Sequence, residues 1–343
     1  MRKELGMFVA LVVIGLIIGI SNASFYGTSN ITVVSNRIAM LGIFAIGVSF
    51  VIATGGIDLS VGSVIGLTGV LIARFSAPIE ENTLSGLGYP IWVGIAIALS
   101  VALLIGLIQG LLITRLSLQP FIVTLSGMLL IKGISQTVTA GGTISLGTMP
   151  FRSLANEGLN LGAGLKVLYP VFFFLAVAAL ASYVLHFTVF GRHIFAIGGN
   201  RDAARYSGVP VKRVELSTYV ISAGLAGVAG VLFASQIGGM SKSVGEGFEL
   251  QAIAAAVLGG VSLRGGEGTV IGVIIGSAVL KIMDNGITMF KIPYTDSNGQ
   301  PARWGLNDNW SNIVIGAVIM GAIILDQVTH ILQDRKKLAG KGK

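Results

Sequence analysis

The sequence predicts an all-α polytopic membrane protein of about ten transmembrane helices, folded as a single domain over residues 1–343. Three observations predict it. Hydrophobic residues make up 53% of the chain and charged residues 11%, with a mean hydropathy of +0.85, which lies well outside globular composition. Apolar runs of about twenty residues recur along the whole length, so no stretch remains that could bury a separate soluble core. Glycine is used 49 times, and many glycines fall four residues apart inside the apolar runs, as at Gly15/Gly19, Gly62/Gly66, Gly106/Gly110 and Gly272/Gly276. Small residues at that spacing let helix backbones approach closely in lipid.

Ten runs qualify as spans: Leu5–Ile20, Ile38–Thr54, Leu59–Phe75, Ile91–Ile113, Phe121–Val138, Val167–Phe187, Leu216–Ile237, Leu250–Leu263, Thr269–Phe290 and Ser311–Val328. The first lies between MRKE and SNAS and has the look of a signal peptide; in a chain with so many later spans it is expected to stay as an uncleaved anchor. The second and third runs would form one helix from Ile38 to Ala73, about 54 Å at 1.5 Å per residue, too long for a hydrocarbon core of about 30 Å. A break at GGIDLS is therefore required. The eighth run is too short to span comfortably, and must be tilted, re-entrant or extended through Glu249.

Charge sets the expected orientation. With the amino end inside, alternation places 14 basic residues on the cytoplasmic side and seven outside, with Lys132 and Lys281 inside spans. Both termini are then cytoplasmic. The formal charge of +8 is accounted for by this topology and calls for no nucleic-acid partner. There is no cysteine, and His186, His193 and His330 do not cluster, so no metal site, cofactor or redox chemistry is expected. No GxxxxGK[ST] phosphate loop is present, and no compact acid–base set suggests an enzyme.

Two further patterns bear on function. Gly55–Gly66, GGIDLSVGSVIG, resembles Gly259–Gly272, GGVSLRGGEGTVIG, and duplicated halves of this sort are common in transporters. Intramembrane polar residues are candidates for a translocation path because burying them is costly: Asp58, Ser60, Gln109, Lys132, Gln136, Lys281, Asp284 and Asn285. For Asp58 a competing reading is capping of the following helix, and Lys281 and Asp284 can simply pair on one helical face.

The densest charge lies in GRHIFAIGGNRDAARYSGVPVKRVE, Gly191 to Glu215. Asn200 is a good amino-terminal cap and GVP a stop, which predicts a short exposed helix over Arg201–Ser207. Physics alone leaves two readings: topogenic charge on a surface helix, or a docking element for a cytoplasmic partner.

The island resembles the cytoplasmic coupling loop of ribose-type (monosaccharide and autoinducer-2) ABC importer permeases. SFVIATGGIDLSVGSVIGLTG is similar to that family's early signature, QPFIVTLSGMLLIKGIS to its middle spans and GFELQAIAAAVLGGVSLRGGEGTVIG to its late signature, in the family's order over most of Ile38 to Asn285. The resemblance implies a prokaryotic inner- or plasma-membrane subunit used as a dimer with a second copy of itself. It implies that a sugar arrives from an extracytoplasmic substrate-binding protein, that a separate cytoplasmic ABC ATPase supplies the energy, and that the chain itself is not an enzyme. Ribose, galactose, xylose and related molecules all fit the family. Within the coupling loop, residues 188–215, it assigns ATPase docking to Gly191, Arg192, Gly198, Asn200, Ala203, Ala204, Arg205 and Gly208, with Arg201 or Arg205 at the rim of the groove and Ala203 and Ala204 packed into it. The polar loop 291–310, KIPYTDSNGQPARWGLNDNW, is longer than the family pattern and is expected outside, where Trp304 and Trp310 would also suit interfacial anchors. The alternative is an ion-gradient-driven secondary transporter in which Asp58 and Asp284 titrate or coordinate the ion.

Overall fold

A computed structural model describes residues 2–79, 86–147, 149–295 and 301–305, with scattered positions between 310 and 324. The chain is all-α with short strand pairs in its connections. Its helices are α1 (Arg2–Ser21), α2 (Thr28–Ala53), α3 (Val61–Ser76), α4 (Ile91–Arg115), α5 (Pro120–Val138), α6 (Ser153–Asn156), α7 (Tyr169–Phe187), α8 (Val189–Gly199), α9 (Arg201–Tyr206), α10 (Val211–Ile237), α11 (Phe248–Leu258) and α12 (Val270–Met289). Among the described residues six of them, α2, α4, α5, α7, α10 and α12, are long and apolar enough to cross a membrane, and α1, α3 and α11 are shorter apolar helices. The tenth expected span, Ser311–Val328, lies for the most part outside the described residues.

The bundle is organised around α2 and α10. The apolar window of α2 is 89% buried, whereas those of α4 and α5 are 22% buried. Large aliphatic side chains on α4 and α5, among them Leu103, Leu104, Leu129 and Leu130, therefore face outward, as a lipid-facing surface requires. Helix α10 packs against α2, α3 and α4. Its buried face is built from small residues, Ser222, Ala223, Ala226, Gly227, Ala229 and Gly230, so dispersion contacts between closely spaced backbones hold the centre. The predicted Gly106/Gly110 pair does this: a side chain at Gly106 would strike the carbonyl of Tyr219, and one at Gly110 the backbone of Leu216. Gly272/Gly276 abuts the end of α11 in the same way. Gly62/Gly66 instead faces an irregular segment rather than a helix, and a side chain at Gly15 would meet nothing within 4 Å.

The expected break between the second and third runs is present, since α2 ends at Ala53 and α3 begins at Val61. The short eighth run is a helix of 11 residues, α11. The turn-rich segment before it, residues 239–247, runs alongside α3: Met240 lies against Gly69, Val244 against Gly66, and Gly245 against Gly62. Strands β1 (Thr143–Ser145) and β4 (Gly239–Ser241) pair antiparallel at the top of this segment. Strands β2 (Gly158–Asn160) and β3 (Lys166–Leu168) form a second pair, and β5 (Lys291–Thr295) and β6 (Pro301–Gly305) a third. The polar loop 291–310 is thus a β-hairpin in its described part.

Candidate docking face and polar interior

The charged island folds as two helices at one end of the bundle. Asn200 separates them: its backbone ends α8, and its side-chain Oδ1 accepts from the Ala203 N–H at 2.9 Å, capping α9. The predicted helix Arg201–Ser207 is present as Arg201–Tyr206, closed by Gly208 at φ +84°, where a residue with a Cβ would be strained. The N–H of Val209 returns to the Ala204 carbonyl.

The side chains assigned to docking divide into two sets. Arg192, Ala203 and Arg205 are exposed. Ala204 is buried against the chain's own core, which corrects the expectation that both alanines are offered to a partner: along a helix, adjacent residues point about 100° apart, so one of the two faces home. Arg201 is also used internally. Its Nε and Nη2 donate to Glu215 Oε1 and Oε2 at 2.7 and 2.9 Å, a bidentate bond from α9 to α10 near its start. That pairing raises the guanidinium's affinity for its proton above the ordinary value. Two residues of this face escaped the sequence reading. Glu215 is 8% exposed and has no recognisable motif; Tyr206 is 89% exposed, an aromatic side chain standing alone in solvent. Tyrosine is enriched at protein interfaces, which makes this side chain a candidate contact.

Gly191 and Gly198 act as close-approach points. A side chain at Gly191 would strike the Leu185 carbonyl at the end of α7, and one at Gly198 would strike both the Ala53 carbonyl and the Gly266 N–H. The latter two groups are themselves bonded, Gly266 N to Ala53 O, at 2.9 Å. Helix α8 thus rests on the junction of the two glycine-rich turns that resemble each other in sequence. Both lead into helices, α3 and α12, at the same end of the bundle.

Behind this junction lies a buried polar group. Asp58 is 1% exposed, and its Oδ1 accepts from the N–H and Oγ of Ser60 at 2.9 and 2.7 Å, while Oδ2 accepts from Ser222 Oγ at 2.7 Å. Asp58 therefore closes a turn ahead of α3 and anchors it to α10, rather than capping the free N–H groups of α3. The Ser60 hydroxyl lies 3.0 Å from Gln109 Oε1 on α4. One hydroxyl hydrogen cannot serve both Asp58 and Gln109, and Gln109 Nε2 is otherwise buried without a partner. Exchanging the amide's O and N lets Nε2 donate to Ser60 Oγ, which makes a consistent chain from Gln109 through Ser60 to Asp58. Asp58, Ser60 and Gln109 are thus brought together, with Ser222, which the sequence reading missed.

The remaining polar candidates lie elsewhere. Asn285 is paired reciprocally with Asn30 through both side-chain amides, at 3.1 and 2.9 Å. Lys281 donates to Gln251 Oε1 at 2.7 Å, and Asp284 lies 4.0 Å from Arg37, so each makes a contact with another helix. Gln136 is exposed on α5, one turn beyond Lys132. Among the described residues, no group of three or more histidines, cysteines or acids is placed to hold a metal.

A bundle of apolar helices long enough to cross a membrane, with a charged face at one end and buried polar ties inside, is the architecture of a multi-pass membrane protein. The chain belongs to the family described as branched-chain amino acid transport system, permease component, whose model matches residues 30–323. It is 33% identical over 318 residues to the ribose import permease protein RbsC of Escherichia coli (strain K12), covering 93% of this chain and 92% of that one. It is 35% identical over 326 residues to RbsC of Bacillus subtilis (strain 168), covering 95% and 93%. It is 34% identical over 334 residues to the galactose/methyl galactoside import permease protein MglC of Escherichia coli (strain K12), covering 96% and 95%. No solved structure matches. The chain is a multi-pass membrane permease component and not an enzyme.

Proposed function

We propose that this chain is the membrane-spanning permease of an ATP-driven importer for a monosaccharide or a closely related sugar-like molecule. The observation that carries the substrate class is the similarity, over more than nine-tenths of each chain, to permeases named for ribose and galactose. The family description names branched-chain amino acids, but it covers a broad family, and full-length pairwise similarity is the narrower guide. A permease of this kind works with a cytoplasmic ABC ATPase and an extracytoplasmic substrate-binding protein, and we take it to be a homodimer with both termini and α8–α9 on the cytoplasmic side. The island's exposed residues Arg192, Ala203, Arg205 and Tyr206 are its ATPase contact, and Gly191, Gly198, Asn200, Arg201, Ala204 and Gly208 hold that contact in shape. We take the chain to cross the membrane about ten times, with loop 291–310 outside.

The reading is tested with the permease and its ATPase reconstituted in liposomes with the binding protein. Ribose, galactose or xylose uptake should require ATP hydrolysis and persist when uncouplers abolish ion gradients. Uptake that needs an ion gradient and no ATPase would return the secondary transporter.

A further inference from the structure

Lys132 and Glu246 form an ion pair at 2.6 Å, and their side chains are 45% and 48% exposed. Lys132 is on α5, about 18 Å from its first residue at 1.5 Å per residue, and so well inside a helix of 19 residues. Exposed charge at such a depth is unstable against acyl chains and belongs on a water-filled or protein-covered face. Glu246 lies in the irregular segment that descends along α3, and non-helical backbone is tolerated at membrane depth only where it is covered by protein or lines such a cavity.

The pair borders a cavity of about 250 Å³. Its polar lining is Ser63 of α3, Lys132 and Ser135 of α5, and Lys242, Glu246 and Glu249 of the segment leading into α11. The volume lies just under the ~300 Å³ at which ordinary ligand pockets begin, which restricts an occupant to a small solute. Its charges balance, two lysines against two glutamates. Glu246 is neutralised by Lys132, and Glu249 accepts from the backbone N–H groups of Gly247 and Glu249 at the start of α11. A solute thus meets no unpaired carboxylate. What remains available is hydrogen-bonding capacity of both kinds: spare ammonium hydrogens, spare carboxylate lone pairs and hydroxyls.

We propose that this cavity is a solute-contacting site within the membrane, formed by α3, α5 and the segment entering α11, which holds a neutral, hydroxyl-rich molecule of monosaccharide size. It rests on the transport reading above and adds to it a site in the permease itself, separate from whatever the binding protein recognises.

The chain has no cysteine, so Ser63→Cys introduces the one thiol of the permease. The variant is assembled with its ATPase in lipid nanodiscs without binding protein and labelled with a water-soluble thiosulfonate. Labelling should occur, and saturating ribose or galactose should slow it at least tenfold, while leucine at equal concentration should not. Adding Lys132→Met should remove the protection. Lys242→Cys serves the same purpose if Ser63→Cys fails to assemble. A thiol unreactive to the water-soluble reagent, protection by none of the sugars, equal protection by leucine, or protection unchanged by Lys132→Met would each overturn the site. Sugar uptake by the unsubstituted complex is measured in parallel: ATP-driven uptake without protection sinks the site alone, whereas absence of ATP-driven uptake sinks the transport reading.

Discussion

Arg201 and Glu215 form a pair whose two halves should not be equivalent. The guanidinium is 55% exposed, whereas the Glu215 side chain is 11% exposed. Arg201→Ala leaves a buried carboxylate without its two donors, a loss worth about 2–3 kcal/mol and toward the low end for buried pairs because the site is half open to water. Glu215→Gln leaves the arginine free to turn into solvent and keeps one acceptor in place, so its cost should be near the ~1 kcal/mol of an exposed pair. The difference, about 1–2 kcal/mol, corresponds to roughly a five- to thirtyfold difference in local opening. The measurement is amide hydrogen exchange over Ala203–Tyr206 in the lipid-embedded complex. Arg201→Ala should accelerate it strongly and Glu215→Gln weakly, and Arg201→Ala should loosen ATPase association only through this loss of order. Equal acceleration by the two substitutions, or none by either, would refute the reasoning that burial decides the cost.

Other outcomes follow from the same geometry. Ala203→Glu and Tyr206→Ala should each reduce ATPase co-purification at normal membrane abundance, Ala203→Glu by about a hundredfold if it places an unpaired charge in a closed interface. Ala204→Glu should instead lower abundance, because Ala204 faces the chain's own core. Gly198→Val should destabilise the complex by about 1–3 kcal/mol in detergent melting, since its side chain has no room between Ala53 and Gly266. Asp58→Ala should be worse tolerated than Asp58→Asn, which can still accept from Ser60 and donate to Ser222; folded yield measures this. Cysteines at Ser207 and Ser145 should be labelled from opposite sides of the membrane by an impermeant reagent, and labelling of both in intact cells would overturn the orientation.

Legibility from sequence varied with the range of the interaction. The break at GGIDLS followed from length, and the α9 cap from Asn200 and GVP, because each is decided within a few residues. The likeness of the two glycine-rich turns was legible too. That they touch through Gly266 and Ala53 was not, since a backbone hydrogen bond across more than two hundred residues leaves no trace in composition. For Asp58 the sequence offers a place on the translocation path or a helix cap, since a carboxylate before a helix ordinarily is one; the serine that claims its second oxygen, Ser222, is one small residue among many in α10. Ala203 and Ala204 are indistinguishable in sequence, and only the orientation of α9 separates them. The short eighth span was flagged by its length, but the packing of the irregular chain before it depends on the glycines of α3.

The segment that descends beside α3 carries one more implication. Irregular backbone at membrane depth needs partners that lipid cannot supply, and the pairing with β1 and the turns closed by Val244 N–H on the Ser241 carbonyl and Glu246 N–H on the Ser243 carbonyl are among those this segment has. On the transport reading, a strip of this kind would have to be closed from one side at a time, so a permease built on it would need a seal against leakage as well as a route for its cargo.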